Sequence, residues 1–192
     1  MGKGCALMKL EPSDVLVDVN TSKDLFHRIK RWLLGTPFTH VRLFYGRKLP
    51  HSLGEPVFYE SRDRGVMFTR ARDFLGQRMV VMRLRPDYAG FKPIIHKAAW
   101  EIATDPQSAY DYWSIPGFLI PRLIFEKLGL PLPLKYQRNP YMVCSEAVAE
   151  AFWRAGLNVV SQEVEPLPGD FVAGSWLLVQ VWQGKLSEEV VE

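Results

Sequence analysis

The stretch "NPYMVCSEAVAEAFWRAGL", Asn139 to Leu157, changes character at its only sulfhydryl. Asn139 and Pro140 oppose helix upstream, and strong helix formers follow Cys144. Ala147, Val148, Ala151, Phe152 and Ala155 recur at helical spacing, Arg154 falls in the last turn, and Gly156 supplies a stop. The pattern predicts a helix that opens at Cys144. The other cysteine of the chain, Cys5, lies in a small N-terminal segment and is read as inert. Cys144 is then either a small buried hydrophobe or a nucleophile on a helix N-terminus.

Working back from that helix, Phe91, Ile94, Ile95, Ala98, Ala99 and Ile102 mark a second helix. The Pro-, Gly- and aromatic-rich segment from Asp105 to Pro140 between them reads as short helices and loops. Upstream, "SDVLVDV" (Ser13 to Val19), "THVRLFYG" (Thr39 to Gly46), "PVFYESR" (Pro56 to Arg62), "GVMFTRA" (Gly65 to Ala71) and "QRMVVMRLRP" (Gln77 to Pro86) read as strands. "TSKD" (Thr21 to Asp24) resembles a capping box for a helix whose face is Leu25, Ile29, Trp32 and Leu33 and whose stop is Gly35. "HRIKRW" (His27 to Trp32) supplies its wet side. "PLPGDFVAGS" (Pro166 to Ser175) reads as a turn in which Asp170 caps, and "WLLVQVW" (Trp176 to Trp182) as a final strand. The expected class is α+β: an antiparallel β-sheet or half-barrel packed against helices. It forms a single domain over residues 1–192, with 1–11 and 186–192 loose.

The composition excludes several alternatives. At 192 residues and 47% hydrophobic, the chain can bury a real core as one domain. A net charge of +3 spread along the chain gives no footprint for nucleic acid. Two cysteines make no disulfide framework, and no apolar run approaches a transmembrane segment. The first residues, "MGKGCALMKLEPSD", hold no apolar stretch of leader length, and position 6 is not Ser or Thr, so the myristoylation pattern fails. Cytoplasmic residence is therefore expected. The histidines are not at ligand spacing and no Cys-x-x-Cys, His-Glu-x-x-His or Gly-rich phosphate loop occurs, so neither a metal nor another cofactor is expected.

A cysteine attacks as its thiolate, which a helix N-terminus or a neighbouring imidazolium favours. Four histidines are candidates for that neighbour. His27 lies on a wet helix face, His51 in a loop and His96 beside a hydrophobic stripe. His40 opens a strand, and a strand is the most rigid platform of the four. Alternation puts His40, Arg42 and Phe44 on one face of it. A base histidine needs an acceptor for its second ring N–H. Glu60, on the next strand and sharing a face with Phe58, is the candidate, with Glu55 and Asp63 close by in sequence. Ser145 and Glu146 read as first-turn helix residues, and the aromatics Tyr110, Tyr112, Trp113 and Phe118 as core and cleft wall.

The ordered set "THVRLFYG", "VFYES", "YDYWSIPGF", "YMVCSEAVAEAFWRAG" and "PLPGDFVAGS" resembles the permuted papain-fold hydrolases, the YiiX-like relatives of the NlpC-type cysteine peptidases. The likeness covers about Pro12 to Ser175. It implies a circularly permuted fold in which the histidine strand precedes the cysteine helix. It also implies Cys144 as nucleophile, His40 as base and later acid, and Glu60 as orienter. Tyr141 or Tyr112 is implied as an oxyanion donor. Where the family often has a small residue two positions after the histidine, this chain has Arg42, which would narrow the cleft or select an anionic substrate group.

The expectation is thus a cysteine hydrolase, an amidase or peptidase or an acyl-ester hydrolase or transferase, working through a thioester. Its partner would be a peptide-like substrate, cell-wall peptide included, or an acyl lipid. A cell-wall substrate would require a phage- or lysis-delivered enzyme. The alternative is a papain-like binding module that holds a peptide or acyl chain without turning it over.

Overall fold

Six segments rich in β-branched and aromatic residues form one antiparallel sheet, β1 (Val15–Val19), β2 (Phe38–Gly46), β3 (Val57–Arg62), β4 (Gly65–Arg70), β5 (Arg78–Leu84) and β6 (Leu178–Lys185). The spatial order is β4-β3-β2-β1-β5-β6. The architecture is a computed structural model that describes residues 8–21, 24–47, 49, 54–108, 120–130 and 142–191. No described helix is long and apolar enough to cross a membrane.

Both faces of the sheet are covered, which is why its central strands carry apolar residues at successive positions. Val15, Val17, Val41, Leu43, Tyr59, Val80 and Met82 meet two helices, α2 (Lys92–Thr104) and α4 (Cys144–Arg154). Those helices contribute Ile95, Ala99, Ile102, Ala147, Val148, Ala151 and Phe152. The alanines let the helix backbones approach closely, and each fully buried Ile or Phe contributes roughly 1.5–3 kcal/mol. On the other face, Leu16, Phe44, Phe58, Met79 and Val81 pack with Phe74, Leu10, Leu186, Val190 and Val191.

Two polar contacts fix α4 on β3. The Tyr59 hydroxyl donates to the Ala147 carbonyl at 3.0 Å, and burial raises the pKa of that phenol. The Ser61 hydroxyl donates to the Met142 carbonyl at 2.6 Å. The second contact holds the backbone two residues before Cys144 beside the end of β3.

The remaining elements depart from expectation in physically informative ways. Helix α1 (Leu25–Leu34) stops at Gly35, whose φ of 67° is the left-handed geometry expected of a helix stop. Leu25 and Trp32, expected on its inward face, are 71% and 62% exposed. The side of Trp32 is met instead by Lys127, whose Nζ lies 5.0 Å from the ring centre, on α3 (Ile120–Lys127). The Pro166–Ser175 turn contains one short helix, α5 (Asp170–Ala173), and the Asp170 carboxylate accepts from the Leu167 N–H at 2.8 Å. The last strand starts later than predicted and runs on to Lys185. Of the ends expected to be loose, the described residues 8–11 and 186–191 include packed ones. Leu186, Val190 and Val191 are buried, α6 (Glu188–Val191) caps the tail, and the Leu10 N–H donates to the Val190 carbonyl at 2.9 Å. Apolar residues in the "SEEVVE" tail had a sheet face to cover, and that outweighs its charge.

Candidate active site

Register places the first site residues. Asp18 on β1 stands directly opposite His40 on β2, and the register shifts just beyond, between Asp18 and Val19. Such bulges re-aim side chains near the ends of ladders. The β2–β3 ladder runs from Leu43↔Tyr59 to Gly46↔Val57, so His40 and Glu60 lie beyond its last pair. Since Phe44 and Phe58 are paired, His40, Arg42 and Glu60 fall on one face.

There the side chains form a connected ionic network. His40 Nε2 and Glu60 Oε2 are 2.6 Å apart. Arg42 Nε donates to the same oxygen at 3.3 Å. Thr69 on β4 donates its hydroxyl to Glu60 Oε1 at 2.7 Å. The two outer nitrogens of Arg42 each reach one oxygen of Asp18 at 2.8 Å, a bidentate fork. The guanidinium also lies 4.0 Å from the ring centre of Phe74. Glu60 is fully buried, and an unpaired carboxylate there would cost several kcal/mol, so this number of donors is what makes the position tolerable.

The fourth member arrives from α4. Cys144 is the first residue of that helix and is half-buried. Its side chain is hydrogen-bonded to His40. In the same first turn, the Glu146 carboxylate accepts the Val143 N–H at 2.9 Å and so closes the helix start, the structural role expected of it.

The charges answer one another. Burial pushes the His40 pKa down, but the negative charge and hydrogen bond of Cys144, together with the hydrogen bond to Glu60, outweigh it and raise it to about 9. Arg42 pulls the other way. For Glu60, burial pushes the carboxyl up, while the His40 hydrogen bond, the Arg42 charge and the Thr69 hydroxyl bring it down to about 2. Both shifts favour the charged forms, an imidazolium at His40 and a carboxylate at Glu60.

An open cleft of about 490 Å³ borders His40, Arg42 and Asp18, with Ser61, Arg62, Asp63, Phe74 and Gln77 in its other walls. Another hollow of about 340 Å³, among Arg47, Glu55, Arg72 and Glu188, contains none of the site residues. No group of three or more His, Cys, Asp or Glu among the described residues is placed to hold a metal ion.

The sequence candidates distribute as follows. Cys144, His40 and Glu60 come together. Glu55 does not join them; it pairs with Arg70 and Arg72. Asp63 lines the cleft wall. Arg42 was expected to narrow the cleft or select a substrate anion. Its guanidinium is almost fully buried and committed to Asp18, Glu60 and Phe74, so the anion it selects is internal. His96 stacks on Tyr45 with ring centres 4.6 Å apart. Tyr141, Tyr112, His51 and Cys5 lie outside the described residues, as does the side chain of His27. Asp18 and Thr69 were not anticipated. The signal for Asp18 was present: it alternates with Leu16 on a strand buried on both sides, where a carboxylate needs a partner.

No family model matches the chain, and no curated protein matches it. A solved structure, the crystal structure of metalloprotein yiiX from Escherichia coli O157:H7, DUF1105, aligns over 94% of this chain and 99% of its own, with 14% sequence identity and a TM-score of 0.48.

Proposed function

We propose that this chain is a cysteine hydrolase on a circularly permuted papain-like fold, with Cys144 as nucleophile, His40 as general base and acid, and Glu60 as the group that orients His40. One observation carries the reading: His40 stands between the Glu60 carboxylate, 2.6 Å away, and the Cys144 thiol to which it is hydrogen-bonded. With Nε2 engaged by Glu60, Nδ1 is the nitrogen left for the sulfur.

The steps follow from those positions. The Cys144 thiolate attacks a carbonyl carbon, and the displaced electron pair goes to oxygen, which the amides opening α4 are suited to stabilise. The tetrahedral species collapses, the bond to the leaving amine or alcohol breaks, and His40 gives that group its proton. A thioester remains on Cys144. Neutral His40 then takes a proton from water, the hydroxide adds to the thioester, and the thiolate leaves as His40 becomes cationic again. Ser61, Arg62, Asp63 and Gln77 make the described cleft walls mainly polar. That favours an amide in a peptide over a long acyl chain as substrate.

Alkylation kinetics test the nucleophile. Cys144 is expected to react with iodoacetamide well below pH 8, and His40→Ala is expected to lose that reactivity. Alkylation at the rate and pH of an ordinary thiol would overturn the hydrolase and leave a binding cleft. The pH–rate profile is a separate check. Because His40 holds its proton to about pH 9, the alkaline limb of kcat/KM is expected near that value. A limb centred near neutrality would contradict the ion pair.

A further inference from the structure

We propose that Asp18 and Arg42 act as a positioning pair for His40, holding Glu60 in place and setting how tightly the imidazole keeps its proton. As a statement about catalysis this rests on the role given to His40 above. As a statement about charge it does not.

The geometry is specific. Arg42 donates to the oxygen of Glu60 that His40 also uses, at 3.3 Å against 2.6 Å. A guanidinium does not lose its proton, so it is a permanent rival of the imidazolium for that carboxylate. Asp18 takes both outer nitrogens of Arg42 in a fork and so draws much of that cation away from Glu60. Phe74 closes the remaining face of the guanidinium, which leaves it one orientation. Asp18 is itself the cross-strand neighbour of His40, so the compensating charge is built into the β1–β2 register. The charged groups around His40 among the described residues are Glu60 and Arg62 from β3, Arg42 from β2, Asp18 from β1, Cys144 from α4 and Asp63 from the β3–β4 turn. Arg62, 3.9 Å from Glu60 Oε1 and half-exposed, is screened by water and weaker.

A brace without electrostatic coupling and a charge relay make opposite forecasts. If the pair were only a brace, removing either half would loosen Glu60 and move His40 in one direction. If it sets charge, the two halves act with opposite sign. Asp18→Asn leaves the full Arg42 cation against Glu60, so His40 should bind its proton less tightly. Arg42→Gln removes the rival, so His40 should bind it more tightly.

The test is a pH titration of the His40 Cε1–H resonance by NMR, in a Cys144→Ser background so that the imidazole titrates without a coupled thiol. The resonance is assigned by its loss in His40→Gln. Asp18→Asn is expected to lower the midpoint by about 1 pH unit, Arg42→Gln to raise it by about as much, and the double variant to fall within about 0.3 of the background. Shifts of the same sign in both single variants, or no shift in either, would overturn the proposal. Thermal melts establish that each variant folds. Should Arg42→Gln fail to fold, the double variant takes its place: a midpoint restored to within about 0.3 of the background, against the lowered midpoint of Asp18→Asn alone, supports the charge coupling, and a midpoint at or below that of Asp18→Asn overturns it. The titration needs no turnover. A failed alkylation test with opposite-sign shifts would remove the hydrolase and keep the charge coupling, and the converse would keep the hydrolase and discard the pair.

Discussion

Cys144→Ala is expected to fold like the parent chain and to lose turnover by about 10⁴-fold or more. The two halves of that expectation have separate causes. Cys144 is half-buried at the first position of an eleven-residue helix, and alanine is well accepted there, so the packing loss is about 1 kcal/mol or less. Chemistry has no substitute, because no other described cysteine exists to take the acyl group. Thermal melting and turnover on a peptide-amide panel would be measured together. Turnover within tenfold of the parent, or a melting temperature that collapses, would make the cysteine a packing residue.

Glu60→Gln is expected to damage both stability and rate. The carboxyl drops from its ordinary 4.5 to about 2 on folding. A group whose pKa is depressed by folding contributes stability that is complete above its unfolded value and disappears as the pH falls through its folded one. The window is therefore from about pH 4.5 down to about pH 2, and the gap corresponds to about 3 kcal/mol. The parent should lose roughly that amount across this window in denaturant titrations, and Glu60→Gln should lose much less of it. At neutral pH the variant leaves Arg42 short of one anionic partner and places an amide NH₂ among donors. A fall in melting temperature of about 5–10 °C follows for a chain of this size. Turnover should drop on the order of 10²-fold, since the imidazole loses its anchor. Equal activity in Glu60→Gln would remove that residue from the mechanism.

The parts of this molecule that were legible in its sequence are those governed by local period. Alternation in β1, and β-forming residues bounded by turn residues elsewhere, located all six strands, and helical spacing located α1, α2 and α4, with stops at Gly35 and Gly156, both at positive φ. Cys144 at a helix start, and His40 and Glu60 on one face of neighbouring strands, follow from the same periods. The misses are matters of tertiary context. The exposure of Leu25 and Trp32 depends on what α1 packs against, which helical spacing does not encode. The docking of Val190 and Val191 depends on a vacant sheet face far away in the chain. Arg42 was visible as a cation beside the histidine, but its use depended on Asp18, whose position opposite His40 is a property of strand order and register.

On the proposed reading of Cys144 as nucleophile, chain order also fixes when its sulfur would become reactive. During synthesis the ribosome delivers β1 to β5, with their buried row of carboxylates and guanidinium, well before it delivers α4. Until that helix docks through Ser61 and Tyr59, Cys144 meets no imidazole and is an ordinary thiol. A nascent or partly unfolded chain is then a poor target for oxidants and electrophiles, and its alkylation rate doubles as a gauge of completed assembly.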